Sequence, residues 1–351
     1  MTRLRLALSC VVALLFVAPL ASAGSVQTLV SQIAFSSTRD DPTGVPLLTA
    51  EVYLMNPDGT DQRRLTENAN GDGFAVLSPD GKKIVFDSNR NRAEGEPLNT
   101  SDLFLMDTEG NEQTFLTRGS SASWSPDSKD VVFHASASGS GTPIRMDPGS
   151  ATTDSDLFVA NVDDVLTGIE APVNLTNSAH VIEDDADWSP DGERIVYTRH
   201  ADSDDPRLSN TAEIFLLSAG GTSTTPERLT FNAEEERGPA WSPDSTRILF
   251  SCRIGGGTSD FEICVINADG SGLVQLTNNT VGDLTASWSP NGEQIVFHRP
   301  PAVGQPLQLF VMEAELNADG TYPTAKQLTF PPGTNLFASW GEVRVHVKAK
   351  P

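Results

Sequence analysis

Trp188-Ser189-Pro190-Asp191-Gly192 is one copy of a phrase to which the chain keeps returning. Trp124-Ser125-Pro126-Asp127, Trp241-Ser242-Pro243-Asp244 and Trp288-Ser289-Pro290-Asn291 repeat it. Leu77-Ser78-Pro79-Asp80 carries it with the Trp replaced, and Trp340-Gly341 is a truncated sixth copy. Successive copies lie 47, 64, 53, 47 and 52 residues apart. A period of about 50 residues means that one supersecondary unit has been multiplied. It says less about activity, because a repeated scaffold does not name its ligand.

Each unit continues in a fixed order. After the turn comes an apolar run, as in Ile84-Val85-Phe86, Val131-Val132-Phe133 and Ile295-Val296-Phe297. A loop of variable length leads to a second run, as in Leu103-Phe104-Leu105-Met106 or Ile263-Cys264-Val265-Ile266. A polar turn such as Asn267-Ala268-Asp269-Gly270 follows, and a Leu-Thr pair closes the unit, as at Leu229-Thr230 and Leu276-Thr277. Short runs of β-branched and aromatic residues between Gly, Pro, Asp and Asn are strands and hairpins. Asp-Gly supplies the positive φ that tight turns need. No segment after the leader sustains a helical apolar period.

Four short antiparallel strands per unit make a propeller blade. We denote them A (ending in Trp-Ser-Pro), B, C and D (ending in Leu-Thr). Six Leu-Thr endings predict an all-β, six-bladed propeller. The N-terminal part opens on a B strand at Ile33-Ala34-Phe35 and lacks an A strand, which Phe337-Ala338-Ser339-Trp340 can supply. Pairing of the N- and C-terminal strands would then close the ring and remove an open sheet edge. Residues 343–347 alternate like one more strand, which could add at an edge, displace the N-terminal strand or begin a seventh, partial blade.

The Trp-Ser-Pro-Asp-Gly turn, the Ile-Val-Phe strand and the Arg-Leu-Thr ending at Arg228-Leu229-Thr230 resemble PD40 repeats, the WD40-like propeller repeats of the TolB family. The resemblance covers about residues 32–340. It implies the propeller fold. It does not imply one function, since such propellers serve as binding proteins, protease gates and peptidases. TolB proteins resemble an α/β domain followed by a propeller, whereas here only about ten residues separate the leader from the first strand. The family's partners are therefore not carried over.

Arg3, Arg5, an apolar stretch over residues 6–20 and Ala21-Ser22-Ala23 form a secretory signal peptide. The expected organisation is a signal peptide over 1–23, a linker over 24–31, the propeller over 32–347 and a tail over 348–351. The protein is expected to be exported, periplasmic or extracellular, monomeric and not membrane-embedded. Net charge is 24 − 47 = −23, and −25 once Arg3 and Arg5 are removed. Such a surface repels phosphate backbones, which argues against nucleic-acid partners. It suits cationic partners or a divalent cation such as calcium. Cys252 and Cys264 flank a Gly-rich loop in one blade, and export permits a disulfide between them.

No nucleophile elbow, zinc-protease helix, P-loop or dinucleotide fingerprint is present. His134 and His298 share one B-strand position with Ser36, Asp87 and Ser251, which suggests a structural alternation. Topology places the B–C loops and D-to-A connections on one face, where loops of variable length favour binding. Asp72, Asp185, Glu236 and Asp283 recur in the D-to-A connections, with Arg237 beside them. They are expected to ring the channel mouth, partly paired with Arg237 or with the Arg at the B-strand ends. The expected function is non-catalytic binding of a protein, peptide or cell-envelope ligand at this face. The alternative is a metal-assisted hydrolase or lyase with its site at the mouth.

Overall fold

The computed structural model describes residues 25–41, 49–92, 101–137, 143–144, 155–178, 181–201, 212–220, 225–231, 234–254 and 260–348. Residues 1–23, read as a leader, and most of the long B–C loops lie outside the described residues. Chain contacts separate the propeller, Leu29–Arg344, from a small unit of Met1–Thr28 with Val345–Pro351.

Six sheets follow one another in sequence. Five run through four strands in chain order: Asp72–Leu77, Lys83–Ser88, Asp102–Asp107 and Thr114–Arg118 in blade 2; Ser120–Trp124, Asp130–Ala137, Asp156–Asn161 and Val173–Asn174 in blade 3, where Pro143–Ile144 adds a fifth strand against Asp130–Ala137. Blade 4 holds Val181–Trp188, Arg194–Ala201, Ala212–Ser218 and Glu227–Arg228. Blade 5 holds Glu236–Trp241, Arg247–Cys252, Glu262–Asn267 and Val274–Gln275, and blade 6 holds Leu284–Trp288, Gln294–Arg299, Gln308–Glu313 and Lys326–Gln327. Blade 1 joins the two ends of the chain: Asn335–Lys348 pairs Ser25–Ser37, followed by Glu51–Met55 and Arg63–Arg64. The closure expected from the sequence is thus present.

One boundary differs from expectation: residues 25–31, read as linker, belong to the first strand. Residues 343–347, for which alternatives stood open, begin no new blade. They prolong the closing strand, because both partners stay extended past the blade and continue their ladder. One short helix, Val162–Thr167, was also not anticipated. Six residues carry too little periodicity to be read; Asn161 caps its first turn and Gly168, at φ 71°, ends it.

The repeated phrases are hydrogen-bond devices. In Trp-Ser-Pro-Asp-Gly the Ser189 hydroxyl donates to Asp191 Oδ1 at 2.6 Å and accepts from the Arg194 N–H at 2.9 Å, while Gly192 takes φ 79°. In the Leu-Thr ending, Thr277 Oγ1 accepts from the Ile263 N–H at 2.8 Å and donates to Glu262 at 2.7 Å. It thereby satisfies the outer edge of the C strand where the two-residue D strand has ended. The Trp joins blades. Trp288, 4% exposed, packs among Leu249, Val265 and Leu276 of blade 5 and Ile295, Phe297 and Met312 of its own. Its Nε1–H reaches back to Ala240 O at 3.2 Å.

Candidate functional site

Every A strand carries a bulge at one place, three residues before the Trp position. There Phe337, Phe74, Ser121, Asp185, Gly238 and Thr285 all have φ between 45° and 60°, at 52°, 47°, 52°, 50°, 58° and 47°. The ladder to the B strand slips at this point in blades 2 to 6. A left-handed residue costs about 1–2 kcal/mol unless it is glycine, and a β-branched one such as Thr285 is a marked outlier. All six positions line one central cavity of about 510 Å³. Phe74 and Phe337 stack there, ring centroids 3.8 Å apart. The residues that follow each bulge are Ala75, Ala122, Ala186, Ala286 and Ala338, with Pro239 in blade 5, so the wall behind the ring is small and apolar.

The polar B-strand position holds three of the six bulges. The Ser251 hydroxyl accepts from the Thr285 N–H of the next blade at 3.1 Å. Asp87 accepts from the Ser121 N–H at 3.1 Å and from the Ser120 hydroxyl. His298 Nδ1 accepts from the Phe337 N–H at 3.4 Å, and its ring meets Phe337 edge-on. In blades 2, 5 and 6 what the sequence showed as alternation is thus a cap on the next blade's bulge, whereas Ser36 Oγ, His134 Nδ1 and Thr198 Oγ1 at the same position in blades 1, 3 and 4 make no hydrogen bond. Burial pushes the Asp87 carboxyl up to about 7 against those hydrogen bonds, and drives the His298 imidazole down to about 4, keeping it a neutral acceptor.

The five residues expected at the mouth do not form one ring. Asp72, Glu236 and Asp283 sit two residues ahead of the bulge, with Glu183, and each is at most 1% exposed. They lie inside the blades rather than around the cavity. Asp72 meets Arg90 at 2.9 Å and Asp283 meets Arg299 at 3.6 Å. Burial pushes the Asp283 carboxyl up, and Arg299 with Asn279 only partly offsets it. The Arg side chains at the B-strand ends stack on C-strand or loop aromatics, Arg90 on Phe104 at 4.6 Å and Arg253 on Phe261 at 4.3 Å. Each of these pairs lies within one blade, and Asp72–Arg90 and Asp283–Arg299 are the pairing expected with the Arg at the B-strand ends.

Asp185 and Arg237 do line the cavity. Arg237 is held by Glu235, its Nε donating at 2.7 Å. Burial pushes the Asp185 carboxyl up, and the charge of Asp184 adds to this; His200, Arg237 and the Gly238 N–H pull the other way without cancelling it. His200 Nε2 lies 3.5 Å from Asp184. Burial disfavours its protonation, but Asp184 outweighs burial and raises its pKa. Among the described residues no group of three or more His, Cys, Asp and Glu could hold a metal ion. Phe74, Phe337, Ser121 and Thr285 were not picked out from the sequence as site residues, and His298 was read there as a structural alternation. Counting back from the Trp would have found those four, and would have separated Asp185 from Asp72, Glu236 and Asp283. In blade 5, Cys252 and Cys264 are bonded Sγ to Sγ with Cα atoms 5.9 Å apart.

No family model matches the chain. An uncharacterized protein of Agrobacterium fabrum is 26% identical over 198 residues, 50% of this chain and 63% of that relative, less than two thirds of the relative's length. Among solved structures, TolB from Acinetobacter baumannii superposes with a TM-score of 0.64 at 18% identity, over 89% of this chain and 66% of that one. A TolB-like protein from Agrobacterium tumefaciens gives a TM-score of 0.57 at 17% identity, over 91% of this chain and 99% of that one. Likeness at this level speaks for the fold alone, and the fold is a six-bladed propeller with TolB proteins among its structural neighbours.

Proposed function

We propose that this is an exported, non-catalytic binding propeller that holds a protein or peptide segment in its central channel. The observation that carries the reading is the ring of bulges: six residues, one per blade, that line one cavity of about 510 Å³. Left-handed positions suit glycine, and only blade 5 uses one, at Gly238. Keeping Phe, Ser, Asp and Thr at the others costs stability, which is how binding surfaces often store strain. The likeness in fold to TolB proteins is compatible with a binding role. The alternative, metal-assisted hydrolysis or elimination, needs a converging ligand set, and none is found among the described residues.

A photo-crosslinking residue placed at Thr285 or Ser121, with the chain expressed through its own leader, is expected to capture one discrete partner. The same residue at Ile169, which is 71% exposed on the outer rim, is expected to capture none. Equal labelling at both places, or none in the channel, would overturn the reading.

A further inference from the structure

The bulge ring is chemically lopsided. Blades 1 and 2 contribute the stacked Phe337 and Phe74, blade 4 contributes Asp185, and blades 3, 5 and 6 contribute only Ser121, Gly238 and Thr285. A bulky apolar platform thus shares the cavity with a carboxylate, and small residues leave the space between them open. The other carboxylate on this wall, Asp187, is already engaged: it accepts from the Ser123 hydroxyl at 2.6 Å and from the Trp241 N–H at 2.7 Å. Asp184 faces His200, and Arg237 is clamped by Glu235. Asp185, which the Gly238 N–H and the charges of Arg237 and His200 compensate only in part, is the carboxylate positioned to meet a ligand. The chain's net charge of −23 draws cations to such a mouth.

We propose that the channel selects a basic peptide segment, seating a lysine or arginine head at Asp185 and an apolar or aromatic neighbour on the Phe74–Phe337 stack. This rests on the channel-binding reading and specifies its ligand. The carboxylate supplies the charge-assisted hydrogen bonds, and the paired rings supply a flat apolar surface. Because burial raises the Asp185 carboxyl, binding of a cation favours its ionised form and releases a proton. Asp184 on its own strand, His200 on the adjoining strand and Arg237 from blade 5 face the same carboxyl, so the proton balance belongs to that group.

The test uses the full mature chain and three capped dipeptides, acetyl-Phe-Lys-amide and its norleucine and glutamate counterparts, titrated by calorimetry. The lysine peptide is expected to bind about ten- to a hundredfold more tightly than the norleucine one, the scale of a charged hydrogen bond. That preference should grow as pH rises through neutrality. Asp185→Asn, which tolerates the left-handed backbone, should abolish both the preference and its pH dependence while leaving norleucine binding unchanged. Phe74→Gly should weaken all three peptides without lowering Tm. Equal binding of the lysine and norleucine peptides, insensitive to Asp185→Asn but lost in Phe74→Gly, would overturn the cationic ligand and keep the channel site. Indifference of every peptide to both substitutions would overturn the channel reading itself.

Discussion

Asp87 ends the B strand of blade 2 with its carboxylate turned to the next blade's bulge, where it accepts from Ser101, Ser120 and the Ser121 N–H. Its folded pKa of about 7 lies above the ordinary 3.8, so the folded chain holds this proton more tightly than the unfolded one. The stability contributed by the protonated form is fully present below about pH 4 and is lost as pH rises through about 7. Asp87→Asn, which cannot ionise, is therefore expected to gain on the wild type as pH rises across that window. Thermal denaturation at a series of pH values checks this, and parallel curves would count against it. The hydroxyl of Ser251 caps without charge. Ser251→Ala removes the partner of the partly buried Thr285 N–H and is expected to cost about 1 kcal/mol in urea denaturation at any pH. A loss confined to one end of the pH range would point away from a simple cap. Neither role could be read from residue type. Ser, Asp and His share only the ability to accept a hydrogen bond, and the backbone N–H that needs one lies in the next blade, about 35 residues away.

At the scale of the element, the A strand does two jobs, and the sequence displays one of them. The Trp and its turn were legible because their needs are local: a hydroxyl to satisfy the turn, glycine at positive φ, an indole large enough to reach the preceding blade. Trp288→Ala removes most of a side chain shared by the cores of blades 5 and 6, and is expected to cost about 3–5 kcal/mol by urea denaturation. A cost below about 1 kcal/mol would mean that the blades do not depend on it. The equivalent positions three residues earlier could be aligned by counting back from the Trp, but the bulge that they form was not legible. It is a left-handed turn at Phe, Ser, Asp and Thr, residues that do not advertise one; only Gly238 hints at it. That is why Asp185 was grouped with Asp72, Glu236 and Asp283. In a strand of unbroken period 2 they would share a mouth, whereas the bulge sends Asp185 to the cavity and leaves the others in the blade.

At the scale of the molecule, the ring closes through one pair of long strands, Ser25–Ser37 and Asn335–Lys348, and through a core in which Ile33, Phe35 and Tyr53 meet Val296, Leu309 and Trp340. Removing the residues after 332 deletes the inner strand of blade 1 and opens that core. The truncated chain is expected to lose a single cooperative unfolding transition, seen as broad or split melting by calorimetry; an unchanged sharp melt would mean that the ring stands without its clasp. The blade number followed from repeat counting, but the length of the clasp did not, because residues 25–31 and 343–347 become strands only by meeting each other. Their meeting also sets how the ring bears load. Thr38 lies against Thr334, Ser31 against Trp340 and Gln27 against His346, so the two strands run in opposite senses and the first and last of these residues stand at the same end. A pull between the chain ends would therefore peel this ladder one rung at a time instead of shearing all rungs together, and a ring that melts as a unit would unzip under tension.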